Sequence, residues 1–426
     1  MQYPSVQTDT RKLKHGDIYF ALKGENFNGN QFALQALELG AAYAMIDEDI
    51  KAANDKLIKV ENVLETLQQL AKFHREQFNN LSRPYEIPFI AITGSNGKTT
   101  TKELIHAVLS STYKTYTTEG NLNNHIGVPL TILKIKQDAE MAVIEMGANH
   151  QKEIAAYCSI AQPTHGIISN VGKAHLEGFG GIEGVKKGKG ELYDFLRSNN
   201  GVAFVFDDYE YLHEMSGGIK EIFWYGTNKG EVVGNIKASE PFLEVNITKG
   251  ASFNTIKTNL VGDYNLPNIL CAITMGKYFK VPDEKIKSSI ENYIPSNSRS
   301  QLLETGSNKI ILDAYNANPS SMKVAIENFA HINADNKVLI LGGMMELGNE
   351  SIQEHENLIK LIEQYNFKNV ILVGGDFKNT YAPFIYFETA EAASDYIARH
   401  NFEQTYFLIK GSRSMKMEKV LHAFKL

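Results

Sequence analysis

The chain has 426 residues, of which 43% are hydrophobic, 22% charged and 10% aromatic, and its formal net charge is −6. This composition is typical of a folded globular protein and disfavours long disordered or fibrous segments. At roughly 100 to 200 residues per domain the length predicts two to four domains. The acidic balance disfavours a nucleic acid as partner.

Cysteine content and hydropathy predict a cellular location. The two cysteines, Cys158 and Cys271, lie far apart, which predicts neither a disulfide framework nor a zinc site. The first residues lack the apolar segment of a signal peptide, and no run of 18 apolar residues occurs. We therefore expect a cytoplasmic protein without a membrane span.

The first part of the chain reads as a small α/β unit. Its predicted strands are DIYFALKG, AAYAMID and KLIKV, and the segments QFALQALELG and VLETLQQLAKFHREQF have helical periodicity. The run NNLSRPYE then gathers residues that are common in linkers. These patterns predict a first domain over residues 1–84.

The second unit alternates predicted strands and helices. Its strands IPFIAIT, MAVIEMG and HGIISNV predict a parallel sheet with crossover helices. Four further strand-like segments lie between residues 201 and 260, and we expect them to pair antiparallel. The linker-like run YIPSNSRS ends this domain, which is predicted over residues 85–297.

The third unit, residues 298–426, is again α/β. It contains the predicted strands KVLILGG, NVILVGG, FIYF and TYFLIKG. Helical patterns, among them ESIQEHENLIKLIEQ, AEAASDYIARH and MKMEKVLHAF, occur around and after these strands.

The stretch GSNGKTTT, residues 94–101, joins a predicted strand to a predicted helix. Such a junction directs backbone N–H groups, the helix dipole and a lysine to one point, which suits a polyphosphate. Lys98 can reach phosphate oxygens and the Thr99 hydroxyl can bind Mg²⁺. The two glycines are separated by two residues where the usual P-loop has four, so an empty glycine-rich turn is the alternative. The predicted cofactor-binding residues here are Gly94, Ser95, Asn96, Gly97, Lys98, Thr99 and Thr100.

Two other strands of the predicted sheet lead to residues suited to phosphate chemistry. Glu145 ends MAVIEMG, and His175 follows HGIISNV by a few residues. Ligands collect at the carboxyl ends of parallel strands, so both side chains can converge on the phosphates. Glu145 is predicted to bind Mg²⁺, with a capping acid as the alternative. For His175 the pattern alone also fits an exposed loop histidine.

Three later segments fit ordinary structural roles, and two of them also fit ligand contacts. The cluster DAYNANPSSM follows a predicted strand that ends at Asp313, near the predicted domain boundary, where ligand sites are common. It also fits a turn that begins a helix. Arg299 fits either a ligand contact or a solvated linker residue. By composition, GVKKGKGE fits a solvated basic face.

Several motifs follow one another in a known order and together resemble the Mur ligases. They are TGSNGKTT, GNLNNHIGVPLT, VIEMGANH, NVGKAHLEGFG, KGKGE, DAYNANPSSM, MMELG and IKGSRSMKME. Within the family the resemblance is to the ligases that join D-alanyl-D-alanine to UDP-N-acetylmuramoyl-tripeptide in cytoplasmic peptidoglycan precursor synthesis. YNANP and GSRSM are the most specific of these motifs, because sister ligases and folylpolyglutamate synthetase share the ATPase motifs.

The resemblance implies an α/β fold of three domains and a monomer. The N-terminal domain holds the UDP end of the substrate, a central P-loop domain with a parallel sheet binds ATP, and a C-terminal Rossmann-like domain receives the dipeptide. The reaction implied is ATP-driven amide formation through an acyl phosphate.

The resemblance also implies roles for individual residues. Lys189 aligns with a carbamylated lysine, which with His175 would bind a second Mg²⁺, because a carbamate offers anionic oxygen to a hard cation. Lys98, Glu145, His175 and Lys189 are the implied catalytic residues. Implied contacts to ATP are Asn268 at the adenine, and Arg299 and Asp313 at the phosphates and ribose. Implied contacts to the other substrates are Thr10, Arg11, Asn123, Asn124, Tyr315, Asn316 and Asn318.

The chain departs from the family pattern at three positions. Asn28 and Asn30 stand where Asp and His are usual, and Gly343 stands where Asp is common. Four alternatives stay open from the sequence. They are another peptide-adding ligase, a folylpolyglutamate synthetase, a nucleotide-binding regulator and a nucleic-acid-dependent ATPase.

Overall fold

The computed structural model describes residues 5–51, 54–79, 87–296 and 298–424. The residues at the two predicted domain boundaries, 84–85 and 297, lie outside the described residues. Three sheets of four or more strands follow one another along the chain, and a two-stranded sheet accompanies the first.

The first sheet has four parallel strands in the order β1-β2-β5-β6, beside a two-stranded ribbon of β3 and β4. Helix α2 buries residues four apart, Val63, Leu67 and Ala71, and so presents one apolar face to the core. The elements are β1 (Val6–Gln7), β2 (Ile18–Phe20), β3 (Lys23–Gly24), β4 (Phe27–Asn28), α1 (Ala33–Glu38), β5 (Tyr43–Ile46), β6 (Leu57–Lys59) and α2 (Val63–Glu76).

The second sheet has nine strands in the order β15-β14-β13-β12-β11-β10-β7-β9-β8. Its strands are β7 (Phe89–Thr93), β8 (Thr115–Thr117), β9 (Met141–Glu145), β10 (His165–Ile168), β11 (Val202–Phe206), β12 (Glu221–Gly226), β13 (Val232–Ala238), β14 (Glu244–Lys249) and β15 (Thr255–Lys257). Its helices are α3 (Lys98–Ser110), α4 (Gly127–Leu133), α5 (Glu153–Ala161), α6 (Leu176–Phe179), α7 (Ile182–Ser198), α8 (Glu210–Ser216), α9 (Leu266–Tyr278) and α10 (Asp283–Glu291).

The predicted antiparallel pairing between residues 201 and 260 is only partly right. Strands β13, β14 and β15 are antiparallel, but β11 and β12 pair in parallel, and so do β12 and β13. Helix α8 lies between β11 and β12. It returns the chain to the end of the sheet at which β11 begins, as a parallel connection requires. The sequence reading missed this short helix.

Strands β7, β9 and β10 are buried along their whole length and lie side by side, with β7 in the middle. Parallel strands covered on both faces are predominantly apolar, as these are apart from the polar residues at their ends, Thr93, Glu145 and His165. Because all three run in one direction, the residues that follow them meet at one edge of the sheet.

The third sheet has six strands in the order β16-β17-β21-β18-β19-β20, and only the pair β16 and β17 is antiparallel. The pattern MKMEKVLHAF, expected to be helical, forms a 3-10 helix over Met417–Ala423. The other elements are β16 (Gln301–Thr305), β17 (Asn308–Asp313), α11 (Pro319–His331), β18 (Asn336–Gly342), α12 (Ser351–Gln364), β19 (Asn369–Val373), β20 (Ile385–Phe387), α13 (Ala390–Ala398) and β21 (Thr405–Lys410).

The predicted α/β class, with parallel sheets in the middle and C-terminal parts, is confirmed. Within the described ranges, no helix combines the length and the apolar character needed to cross a bilayer.

Candidate active site

The loop between β7 and α3 has the backbone that its glycines permit. Gly94 and Gly97 have φ values of +140° and +78°, in the region that favours glycine. A Cβ atom at Gly94 would also collide with Ser169 Oγ. The loop therefore needs glycine at both positions and opens directly onto the N-terminus of α3.

The segment after β10 braces this loop from one side. The Ser95 N–H donates to Asn170 O at 3.0 Å, and the Asn96 N–H donates to the side-chain oxygen of Asn170 at 2.9 Å. Ser95 Oγ donates to Gly172 O at 3.0 Å. The loop is thus held in shape by the neighbouring strand end.

Lys98 folds back over the loop that precedes it. Its Nζ donates to Gly94 O at 2.8 Å and to Ser95 O at 3.2 Å. Burial lowers the pKa of Lys98 to about 8, against an opposing effect of the Glu145 charge. The amine therefore lies beside the glycine-rich backbone, where a bound phosphate would meet it.

Glu145, at the end of β9, lies beside α3 in a fully buried position. The Thr99 hydroxyl is 3.0 and 2.9 Å from its two carboxylate oxygens, and Asn123 Nδ2 donates to one of them at 2.8 Å. Its side chain is thus bonded to neutral groups although the residue is only 1% exposed. A buried carboxylate whose hydrogen-bond partners are neutral is a favourable place for a cation.

Lys189 is buried in the interior, so the interpretation of GVKKGKGE as a solvated basic face is wrong for this residue. It lies on α7 at 1% exposure, and its Nζ donates to Ala148 O at 2.9 Å and lies 4.9 Å from the centre of the Phe179 ring. Burial, and then the charge of Lys98, lower the pKa of Lys189 well below its usual value. The amine is accordingly biased towards its neutral form.

His175 lies in the loop between β10 and α6, with a φ of +53°. Its Nδ1 is 2.5 Å from a carboxylate oxygen of Glu346, which belongs to the loop after β18. The histidine thus contacts the third sheet's part of the chain.

The N-terminus of α11 contacts the P-loop. Asn318 caps this helix, as its side-chain oxygen accepts the Ser321 N–H at 2.9 Å, and its Nδ2 donates to Asn96 Oδ1 at 2.8 Å. The cluster DAYNANPSSM is therefore both a helix start and a neighbour of the glycine-rich loop. Asn316 uses its side-chain oxygen locally, for the Ala317 N–H.

Arg299, Tyr315 and Asp313 lie close together at the start of the third sheet. The Arg299 guanidinium is 3.5 Å from the centre of the Tyr315 ring. Asp313 pairs with Lys410 at 2.5 Å and accepts the Ser300 N–H at 3.3 Å. Asp313 thus already has a buried cationic partner.

Asn268 lies beneath the loop. Its Oδ1 accepts from Thr101 Oγ1 at 2.9 Å, and its Nδ2 donates to Asn265 Oδ1 at 3.0 Å. A Cβ at Gly97 would lie 2.9 Å from Asn268 Oδ1, so this side chain supports the turn itself. Thr100, in the first turn of α3, is half-buried.

The remaining predicted residues make contacts near their own positions. Thr10 and Arg11 form a 3-10 turn in the first sheet's part of the chain, and the Arg11 side chain, 86% exposed, pairs with Asp9. Asn124 accepts the N–H groups of Ile126 and Gly127 at the start of α4. At the two positions where the family usually has Asp and His, Asn28 and Asn30 bond Glu48 and Asp47, respectively.

Sequence reasoning missed three residues of this region. They are Asn170, which braces the P-loop, Lys410, which pairs with Asp313, and Glu346, which pairs with His175. Lys410 ends an apolar strand as Glu145 does, and that position could have indicated it. Asn170 and Glu346 lie within the family motifs NVGKAHLEGFG and MMELG, and those motifs could have indicated them.

Comparison with known proteins places the whole chain in one family. Models of the Mur ligase family match residues 2–75 (catalytic domain), 92–276 (middle domain) and 298–413 (glutamate ligase domain). The UDP-N-acetylmuramoyl-tripeptide--D-alanyl-D-alanine ligase of Bacillus subtilis is 34% identical to this chain, over 98% of the chain and 92% of that protein.

Two solved structures are similar along nearly their entire length. MurF from Acinetobacter baumannii is 31% identical, with a TM-score of 0.88 over 98% of this chain and 92% of that one. MurF ligase from Thermotoga maritima in complex with ADP is 25% identical, with a TM-score of 0.88 over 99% of this chain and 97% of that one. The three-domain architecture that the motifs implied is thereby confirmed, and the chain belongs to the Mur ligase family.

Proposed function

We propose that the chain is an ATP-dependent, ADP-forming ligase that joins D-alanyl-D-alanine to UDP-N-acetylmuramoyl-tripeptide in peptidoglycan precursor synthesis. The observation that carries the proposal is the pairing of Thr99 with the buried Glu145 beside the P-loop Lys98. It occurs in a chain 34% identical, over 98% of its length, to the Bacillus subtilis ligase of that name.

The phosphates of ATP are proposed to bind at residues 94–100. The N–H groups at the start of α3 and the Lys98 charge attract polyphosphate there. Arg299 Nε is buried and has no hydrogen-bond partner among the described residues, so it is available to a phosphate oxygen. Asp313 is proposed to lie at the ribose and Asn268 near the adenine, from its position beneath the loop.

Two Mg²⁺ ions are proposed, and the donor groups fit them. Thr99 and Glu145 offer the hard oxygen ligands that Mg²⁺ prefers, and His175 and Lys189 would hold the second ion. Lys189 can serve only as a carbamate, and its lowered pKa favours the neutral amine that reacts with carbon dioxide. When bound, the ions would neutralise phosphate charge. In the described part of the chain, no group of three or more His, Cys, Asp or Glu side chains could hold a metal. The proposed ligand sets do not require such a group, because each contains fewer than three of these side chains.

The reaction brings two anions together. The tripeptide carboxylate attacks the γ-phosphorus and ADP leaves. The dipeptide amine then attacks the acyl carbon and inorganic phosphate leaves. Lys98 lies where it can offset the charge of the first step, and most of the rate enhancement is proposed to come from positioning and electrostatics.

The three regions are proposed to divide the reactants. Residues 1–84, with Thr10 and Arg11, would hold the UDP end, and residues 85–297 would hold ATP and the reacting carboxylate. Residues 298–426 would receive the dipeptide. Asn123 and Asn124 from the central region, and Tyr315, Asn316 and Asn318 from the C-terminal one, would line the path between them. We further propose that the enzyme acts as a monomer in the cytoplasm.

The test is an acceptor panel with UDP-N-acetylmuramoyl-tripeptide and Mg-ATP, offering D-alanyl-D-alanine, lysine, diaminopimelate and glutamate separately. Mass spectrometry should show a product only with the dipeptide, together with phosphate release that requires both substrates. A product with glutamate or a single diamino acid would assign another ligase of this fold. Nucleotide binding without any product would indicate a regulator and overturn the proposal.

A further inference from the structure

We propose that Glu346 is a positioning residue for His175, acting from the C-terminal part of the chain on the site in the central part. The inference rests on the proposed function, because it assigns His175 a ligand role there. It adds a residue that the motif comparison left without a role. The relevant geometry is the 2.5 Å approach of a Glu346 carboxylate oxygen to His175 Nδ1, a buried nitrogen that has no directed hydrogen bond among the described residues and for which this carboxylate is the adjacent acceptor.

The loop that carries Glu346 is anchored on both sides. Met344 and Leu347 are 1% and 3% exposed, so they hold the loop in the core while Glu346 projects outward. The Met344 N–H donates to His355 Nε2 at 3.0 Å, and His355 Nδ1 lies 2.7 Å from Ser351 O. Glu346 is therefore presented from a fixed backbone.

Both members of the pair adopt a backbone that favours glycine. The φ values of His175 and Glu346 are +53° and +62°. Such conformations are costly for residues with a Cβ and persist where the surroundings enforce them. The two loops also touch through the backbone, as the Glu177 N–H points to Glu346 O at 3.4 Å.

The contact determines which imidazole nitrogen is free. A carboxylate at Nδ1 favours the tautomer with the proton on Nδ1 and leaves the Nε2 lone pair available to a cation. Among the described residues, the Glu346 carboxylate is the charged group paired with this nitrogen. Glu346 would thus make His175 ready to bind a cation only when the C-terminal region is docked on the central one.

A second ion pair between the same two regions serves as an internal control. Lys173 Nζ lies 2.5 Å from an oxygen of Glu354, whose side chain is 8% exposed. Both pairs join the loop after β10 to the third sheet's part of the chain, but only Glu346 contacts His175. A role in docking alone would therefore be shared by Glu346 and Glu354.

The experiment compares Glu346→Ala, Glu346→Gln and Glu354→Gln in the full-length protein with a non-hydrolysable ATP analogue bound. The tautomer of His175 is read from ¹⁵N shifts of ¹⁵N-histidine protein at pH 8, with the resonance assigned by its loss in His175→Gln. Mn²⁺ binding is measured by electron paramagnetic resonance on the same samples. Neither measurement requires turnover. A failure of this inference can therefore be distinguished from a failure of the acceptor panel, which tests the proposed function.

We expect wild-type protein to hold the proton on Nδ1. Glu346→Ala should move the proton to Nε2 and lower the affinity for the second Mn²⁺ at least tenfold. A loss of this size is usual when a residue that contacts a metal ligand is removed. Glu346→Gln should retain the tautomer, since its side-chain oxygen offers an acceptor at the same position beside Nδ1. Glu354→Gln should change neither readout. An unchanged tautomer in Glu346→Ala, or the same change in Glu354→Gln, would reduce Glu346 to a docking residue.

Discussion

The hydroxyl of Thr99 touches both carboxylate oxygens of Glu145, at 3.0 and 2.9 Å, across 46 residues of sequence. The contact exists because Glu145 ends β9, the direct neighbour of β7, while Thr99 lies in the first turn of the helix that follows β7. Two separate sequence motifs predicted that Thr99 and Glu145 bind one Mg²⁺. The fold brings these two side chains into contact.

Replacing Thr99 with Val tests the proposed role of Thr99 as a metal ligand. Val keeps the shape of Thr but removes the hydroxyl, so we expect kcat to fall by about 10²- to 10³-fold, the effect of removing one preorganised group at developing charge. Thr99→Ser retains the hydroxyl and should keep most of the activity. Steady-state kinetics at saturating substrates measures both variants. Wild-type turnover in Thr99→Val would remove Thr99 from the metal site.

The lowered pKa of Lys98 predicts proton uptake on nucleotide binding. Burial holds this pKa at about 8, so near pH 8 part of the free enzyme carries a neutral amine. Phosphate favours the charged form and raises the pKa, so a proton is taken up on binding and affinity falls as pH rises above about 8. Calorimetry of the ATP analogue at pH 8, in two buffers of different ionisation enthalpy, measures the uptake. In Lys98→Arg, whose charge is permanent, the uptake should vanish, and its persistence there would assign the proton to another group.

Gly188 allows α7 to pack against α6. A Cβ there would collide with Phe179 Cε1 and lie 3.1 Å from Cδ1, and Phe179 is 3% exposed and cannot move aside. Gly188→Ala should destabilise the protein by about 1–3 kcal/mol, the usual cost of overpacking, and displace Lys189 next to it. Thermal melting measures the loss.

Gly190, on the same helix, is the matched control for that prediction. A Cβ there would meet only Met215 Cε at 3.6 Å, an ordinary contact. Gly190→Ala should raise the melting temperature, because alanine favours a helix interior by about 0.5–1 kcal/mol over glycine. Equal destabilisation by both variants would contradict the packing argument.

Asn318 combines a helix cap with a contact to the P-loop. Asn318→Ala should cost about 1 kcal/mol of stability as a lost cap and should also lower kcat, because the bond to Asn96 is removed. Asn62 caps α2 through the Glu65 N–H and has no bond to the loop. Asn62→Ala should lose similar stability with kcat unchanged. Comparing kcat of the two variants at equal folded fraction separates the roles, and equal kcat values would leave Asn318 as a cap alone.

The sequence by itself determined the elements whose cause is local. The glycines and lysine of residues 94–101 are bounded by an apolar strand and a helical pattern, and the structure has β7 and α3 there. Glu145 could be placed at a strand end because its apolar run stops beside it. The family motifs indicated the order of the domains and the reaction, because these motifs follow one another in a fixed order along nearly the whole chain.

Tertiary structure alone decided which groups meet. The basic run around Lys189 has the composition expected of a solvated face. Its packing against Phe179 and Ala148 buries the amine, and the composition does not reveal this packing. The parallel direction of β12 depended on a short helix, α8, that periodicity did not separate from its neighbours. His175 meets Glu346, and Asn96 meets Asn318, because the second and third sheets' parts of the chain pack against each other and share one buried apolar cluster. Such contacts depend on the relative placement of distant elements, which no local pattern of residues encodes.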